Sequence, residues 1–422
     1  MHVGIVGAGI SGISAAYSLH NHHKVTLIDA RDEIGGHANS VLTLDVSERE
    51  VNVDTGFIVY NDKNYPNFSN FIRDLGIETS HSDMSFSYTN VHDGSGYAGT
   101  LAGLFPSIKA MQSLRHGKFL WNIYKFSALL GKRASCYDNI DISIVDALAD
   151  LGCPDDVIRK YFVAVASAIW SCDRDDALNI PASVFVDFFS NHGLLGISHR
   201  PKWFSITGGS RKYLEEFSKR FSGRILTATD VKFITLADDS VSIRSNNGPE
   251  MKFDMVIVAT HSDQALQIVE DLPPEMRCIL SAYRYSRNEV VLHTDTTLMP
   301  KNRRLWASWN VLSYRDDGVQ SGTSITYNMN RLQRLETSSE FLVTLNPRLR
   351  PDEGKTIFAT TYSHPILRYD VDANEANFRA LNHTTERIRF CGAYLGYGFH
   401  EDGFTSGKRV AATVNNFARY AI

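Results

Sequence analysis

The chain has 422 residues, 43% hydrophobic and 21% charged, with a formal net charge of −4 at pH 7. At about 150 residues per domain that length implies two or three domains, and the composition excludes a disordered chain. The acidic balance argues against a general attraction to nucleic acid, and five scattered cysteines with no CxxC pair argue against a disulfide framework or a zinc site.

No signal-peptide pattern follows Met1, and no run approaches the roughly 18 apolar residues of a membrane span, so a cytoplasmic chain, soluble or peripheral, is expected. The residues HVGIV, from His2, read as a buried parallel strand, and SGISAAYSLHNH reads as a helix. Between them Gly7, Gly9 and Gly12 have the spacing GxGxxG: the first for a tight turn, the second for close approach to a phosphate, the third for helix–strand packing. The helix start at Ile10 and Ser11 points amides and a positive dipole end at a pyrophosphate. The strand KVTLIDA then ends in Asp29, 17 residues after Gly12, where an acid accepts hydrogen bonds from a ribose. This order predicts a dinucleotide site for NAD or FAD. Asp29 would repel the 2′-phosphate of NADP.

Further along come ARDEIGGHANS from Ala30 and VDTGFIVYN from Val53. From about 64 to 199 the patterns are mostly helical, with SIVDALADLG ending at Gly152 and PDDVIRKYFVAVASAIW starting at Pro154. Between Gly94 and Tyr137 there is no acid, while Lys109, Arg115, Lys118, Lys125, Lys132 and Arg133 alternate with large apolar side chains. Two readings are open: a helical lid with its cations in solvent, or docking on anionic lipid. SITGGSRKYLEEFSKRF, RILTATDVKFITL and FDMVIVATHSDQAL follow, and strand signals dominate from about 283 to 367. The C-terminal unit is IRFCGAYLGYGFHEDGFTSGKRVAATVNNFARYAI.

In order and spacing these segments resemble the flavin-containing amine oxidase superfamily. The resemblance implies FAD rather than NAD, and an α/β fold: a discontinuous Rossmann-like FAD-binding domain (1–62, 200–262, 383–422) plus a substrate domain of antiparallel sheet and helical lid (63–199, 263–382). It implies that Ala30, Arg31, Gly35, Gly36 and His37 continue the pyrophosphate and ribityl site after Asp29, and that Gly56 and Phe57 lie near the flavin. Val231 takes the adenine-contacting position. Phe390 to Ala393, including Gly392, form the final strand end and turn, and Gly403 and Phe404 open a helix whose dipole faces the flavin. His37 replaces a common arginine, and Ala393 replaces a common acid.

The polar cluster of GYGFHEDG suggests catalysis by His400, Glu401 or Asp402, with Tyr397 lining the pocket; the alternative is that the acids cap the helix. Around this loop the sequence is similar to a bacterial branch ending in GFHEDG that is associated with fatty acyl modification. The resemblance therefore implies a lipid-like substrate, with amine oxidation, redox-neutral double-bond isomerisation or a non-catalytic flavin-binding subunit as alternatives. No metal and no nucleic acid partner are expected.

Overall fold

The strand His2–Val6 is apolar on both faces because neighbours flank it on either side. It pairs in parallel with Lys24–Ile28 (Val6 opposite Ile28) and with Met255–Val258 (Val6 opposite Val258). Arg224–Leu226 and Ile388–Phe390 complete a five-stranded parallel sheet as its edges. The structure is a computed structural model; it describes residues 1–422 except 138, 139, 141, 171, 173, 196–200, 247, 315–322, 367–370, 383–386 and 421–422. The expected domain boundaries at 200 and 383 lie outside the described residues.

At the end of the first strand Gly7 takes φ +102°, a conformation that side chains rarely adopt, and turns the chain into the helix Ile10–Leu19. The closing helix His400–Tyr420 lies along this one. Two glycines make their approach close. A Cβ on Gly403 would come within 2.7 Å of the Ile10 side chain, and one on Gly407 within 2.1 Å of the Ser11 carbonyl oxygen. Ser14 Oγ donates to the Phe404 carbonyl oxygen at 2.6 Å, tying the two helices together.

A three-stranded antiparallel meander, Val231–Leu236, Val241–Ser245 and Met251–Phe253, packs on one side of the parallel sheet. The second half is built on a seven-stranded sheet that includes Tyr285–His293, Trp309–Ser313, Thr323–Asn328 and Thr356–Pro365. Region 64–199 is not purely helical. Phe86–Asn90 (FSYTN) joins this sheet, parallel to Trp309–Ser313, because its alternating side chains find a partner strand more than two hundred residues away. Gly96–Ala98 pairs beside it, Thr79–His81 pairs with Trp203–Ile206, Pro66–Leu75 packs in the core of the parallel-sheet half, and the later helices form a layer with its own core around Phe126, Phe162, Phe185 and Phe189. There Ser143 caps the helix Ile144–Asp150, and Asp155–Trp170 is one helical path interrupted by a π-helical turn at Ile158–Val163.

The glycine contacts predict opposite outcomes for one kind of change. Gly407→Ala destabilises the protein by about 1–3 kcal/mol despite the better helix former. Gly117→Ala, in the helix Leu114–Lys132 where a Cβ meets nothing within 4 Å, stabilises it by about 1 kcal/mol. Thermal or denaturant melts of the two variants check both signs.

Candidate active site

Gly9 begins the first helix with no side-chain cap, and no acid occupies the first turn. The amides of Ile10, Ser11 and Gly12 and the positive dipole end are thus left to an anion. Gly36 lies against Gly9: a Cβ on Gly36 would sit 3.0 Å from the Gly9 Cα, whereas one on Gly9 would meet nothing closer than 4.0 Å. The result is an open seam lined by glycine, which a phosphate enters and a side chain would fill. Arg31 stands at its rim with Nη1 donating to the Gly36 carbonyl oxygen at 2.8 Å, and Gly35 closes the turn by donating to the Ala8 carbonyl oxygen.

Asp29 is fixed by accepting from the Ala8 amide at 2.7 Å and the Arg31 amide at 2.9 Å, with its neighbour Ala30 exposed. The amides of Ala228 and Thr229 donate to the carbonyl oxygens of Arg31 and Asp29, which brings the strand starting at Val231 alongside. The Val231 side chain is buried with Val6 and Ile28, leaving backbone for an adenine. Anion-accepting amides, one guanidinium, a ribose acid and a side-chain-free seam together fit the ADP half of FAD.

The flavin end is assembled from three separated stretches. The Phe57 amide donates to the His37 carbonyl oxygen at 2.8 Å, and Gly56 packs so tightly there that a Cβ would fall 2.0 Å from the same oxygen. The Phe57 ring lies flat on the His400 imidazole, 3.7 Å between centroids, and Phe68 meets that imidazole edge-on. His400 Nε2 pairs with the Tyr213 hydroxyl at 3.1 Å. Burial pushes this imidazole down to about 3, which holds His400 neutral between the two rings and the tyrosine hydroxyl.

The two acids of the loop bond to backbone amides. Glu401 Oε1 accepts from the Asn67 amide at 3.0 Å and Oε2 from the Phe68 amide at 2.9 Å; Asn67 Nδ2 and Thr405 Oγ1 add two further bonds. It caps a different helix, Pro66–Leu75, from 334 residues away. Asp402 accepts from the Phe399 amide at 2.9 Å and lies against Gly396, wrapped inside its own loop. Burial raises this carboxyl to about 7 against the pull of the backbone amides. The Phe404 ring is buried against Phe68 and Phe71, and its carbonyl oxygen faces the first helix. Gly392 makes room for the ring of Tyr394, which packs into the core beside Tyr283, and Ala393 holds the turn by accepting from the amides of Gly396 and Gly398. Tyr397 and Phe399 pack against the helical layer, with Phe399 stacked on Phe188 at 4.9 Å.

Sequence reasoning missed the surroundings of His37. Its ring contacts Tyr362 (4.9 Å), His364 (5.2 Å) and His261 (5.7 Å), and its Nε2 is 3.1 Å from the Ser363 carbonyl oxygen. Burial first, and mutual repulsion second, holds His37 and His364 neutral, His364 at about 4. Burial also lowers His261. The only signal in sequence was an HSD and an SHP tripeptide, each indistinguishable from an ordinary core histidine. Asp54, in VDTGF, is a second residue whose partners lie far away in sequence. It is buried, accepts from Ser210 amide and hydroxyl at 2.9 Å and from Gln333 Nε2 at 2.9 Å, and so ties the glycine turn before Arg211–Arg220 to the hairpin Ser40–Asp54.

Two predictions follow from these contacts. Replacing the cap, Glu401→Ala, lowers stability by about 1–2 kcal/mol while leaving the rate of flavin reduction within a few-fold of wild type. The converse, an unchanged melt with a loss of about a hundredfold or more in rate for Glu401→Gln, would restore a proton-transfer role. For the histidines, the unfolded chain protonates first as pH falls below about 6.5, so folded stability falls from there toward the depressed values. The raised carboxyls of Asp54 and Asp402 oppose this trend, which makes the difference between variants the informative quantity. His364→Asn is expected to lose stability less steeply than wild type between pH 6.5 and about 4, by up to about 1.4 kcal/mol per pH unit, read from unfolding curves across that range.

The family model described as flavin containing amine oxidoreductase matches residues 10–331. Among solved structures, cyclohexylamine oxidase from Brevibacterium oxydans is similar with a TM-score of 0.68 and 17% identity, each chain covered to 99%. A CLA-producing fatty acid isomerase from P. acnes follows at 0.67 and 14%, with 98% of each chain covered. Wild-type putrescine oxidase bound to putrescine stands at 0.66 and 13%, with 99% of each covered. These likenesses show the shared fold. The chain belongs to the flavin-containing amine oxidoreductase family and is an FAD-dependent oxidoreductase.

Proposed function

We propose that this oxidoreductase removes hydrogen from a fatty acyl chain, unsaturated or methyl-branched, to introduce or shift a double bond. The observation that carries the reading is the engagement of the loop acids. Glu401 and Asp402, the carboxylates nearest the flavin end in sequence, bond to backbone amides of the protein itself. An alkylammonium ion entering a dry site needs a carboxylate or an aromatic cage to replace its water. An acyl chain needs an apolar wall, which Tyr397, Phe399 and Phe188 supply.

Bound FAD supplies a hydride acceptor at N5. The protein does the rest by position and charge. Ile10, Ser11, Gly12 and Arg31 would hold the diphosphate and Asp29 the ribose, while Gly56, Phe57 and His37 would border the ring end. The N-terminus of His400–Tyr420 presents its positive end to negative charge developing there. The helical layer shields the substrate carbon from water. Loss of a hydride from one carbon to the flavin and of a proton from its neighbour to solvent would leave the double bond, and an external two-electron acceptor such as dioxygen would reoxidise the flavin.

Amine oxidation is the second reading, supported by the likeness to cyclohexylamine and putrescine oxidases. Isomerisation is supported by the likeness to the fatty acid isomerase. One anaerobic experiment separates them. The expected outcome is bleaching of oxidised flavin by unsaturated or methyl-branched fatty acids or phospholipids carrying them, with mass spectrometry showing loss of two hydrogens. Bleaching by amines alone overturns the acyl reading, and a shifted double bond without bleaching establishes the isomerase.

A further inference from the structure

Three consecutive helices, Leu101–Leu104, Ile108–Gln112 and Leu114–Lys132, form one outer face of the helical layer. The middle one buries no residue at all. Among the described residues fourteen large hydrophobic side chains are exposed, and seven of them fall between 101 and 124. Leu101 is 94% exposed, Leu114 92%, Ile108 72% and Trp121 60%. Such a concentration is unusual on a surface that faces only water.

This face is a fixed platform. His116 Nε2 is 2.7 Å from the Leu104 carbonyl oxygen, its ring contacts Phe105, and Asn302 Nδ2 donates to the Pro106 carbonyl oxygen at 3.1 Å. Along Leu114–Lys132, the residues Leu114, Lys118, Trp121, Lys125 and Lys132 recur at steps of four, three, four and seven, so they share one outward stripe. Phe126 and Leu130 point the other way, into the core.

Lys109, Arg115, Lys118, Lys125, Lys132 and Arg133 are all exposed, and none forms an ion pair with a described residue. The stretch from 94 to 137 itself carries six cations and no acid, in a chain whose total is −4; Asp156 and Asp150 of neighbouring helices approach near Lys125 and Arg133. Two copies meeting through this face would set cation against cation. Nucleic acid would pair with the charge and leave the leucines and the tryptophan in water. A surface both anionic and apolar just beneath its headgroups matches every component.

We propose that this face docks the enzyme on an anionic phospholipid bilayer, with the cations at the headgroups and Leu101, Ile108, Leu114 and Trp121 entering the interface. The charge asymmetry of the molecule orients it, since the remaining surface is repelled by the same lipids. The inference stands on exposure and charge alone, apart from the acyl-substrate reading, and is tested without turnover.

The flavin-loaded protein is mixed at low ionic strength with phosphatidylcholine vesicles containing phosphatidylglycerol, and with phosphatidylcholine vesicles alone. Expected is co-sedimentation with the anionic vesicles only, reversed by salt, with a blue shift of tryptophan emission that is missing in Trp121→Phe. Lys118→Gln and Lys125→Gln each weaken partitioning about fivefold, and Leu114→Asp, at a position outside the core, weakens it further. Lys252→Gln, on the distant meander, leaves it unchanged. Absence of binding to anionic vesicles, or equal binding to both kinds, overturns the proposal. So does a dimer in lipid-free buffer that Leu114→Asp dissociates, which would make a second copy the occupant.

Discussion

The geometry of the cofactor half depends on how closely two helices, one from each end of the chain, can approach. Ile10–Leu19 and His400–Tyr420 touch where Gly403 and Gly407 offer no side chain, with Ser14 bonded across to the Phe404 carbonyl oxygen. Interiors at crystal-like density transmit such contacts rather than absorb them. Because the approach is close, both helix N-termini come to the same end of the parallel sheet. One serves the diphosphate, and the other carries the loop that reaches Phe57 and the helical layer. A single added methyl group there moves both.

The loop before the closing helix shows how polar residues near a reaction centre can be wholly occupied in building it. Glu401 neutralises the start of Pro66–Leu75, the helix that delivers Phe68 against His400. Asp402 fastens the turn that carries Tyr397 and Phe399. His400 accepts a stacked ring and a tyrosine hydroxyl. Both carboxylates of the loop are therefore turned toward the protein, and Tyr397 and Phe399 face the helical layer.

What the sequence disclosed and what it withheld divide along the range of the interactions. The GxGxxG loop, its helix and Asp29 were legible because strand, turn, helix and acid lie within thirty residues and each is dictated by local sterics. The antiparallel strands at 285–293 and 356–365 were legible from alternation. Resemblance, not spacing, pointed to FAD. The partner of Glu401 was not legible, since a carboxylate in the first turn of a helix signals its own cap and nothing marks a cap on another helix. Nor was the cluster of His37, His261 and His364, which three different elements bring together. The FSYTN strand was hidden because one partner is two hundred residues away, the near one, Gly96–Ala98, is only three residues long, and the composition that follows is helical.

The strand order of the parallel sheet has a consequence for biosynthesis. Its central strand is the first to leave the ribosome, and one edge, Ile388–Phe390, together with the helix that covers Ile10–Leu19, is among the last. Contacts of such long sequence separation form slowly and late. The helical layer, whose core is drawn from residues 126 to 195 with Phe86, Phe119, Ile123 and the late loop at its margin, is in a position to fold first. Flavin capture then waits for His400–Tyr420, and a chain lacking that helix carries a nascent substrate half and no finished place for its cofactor.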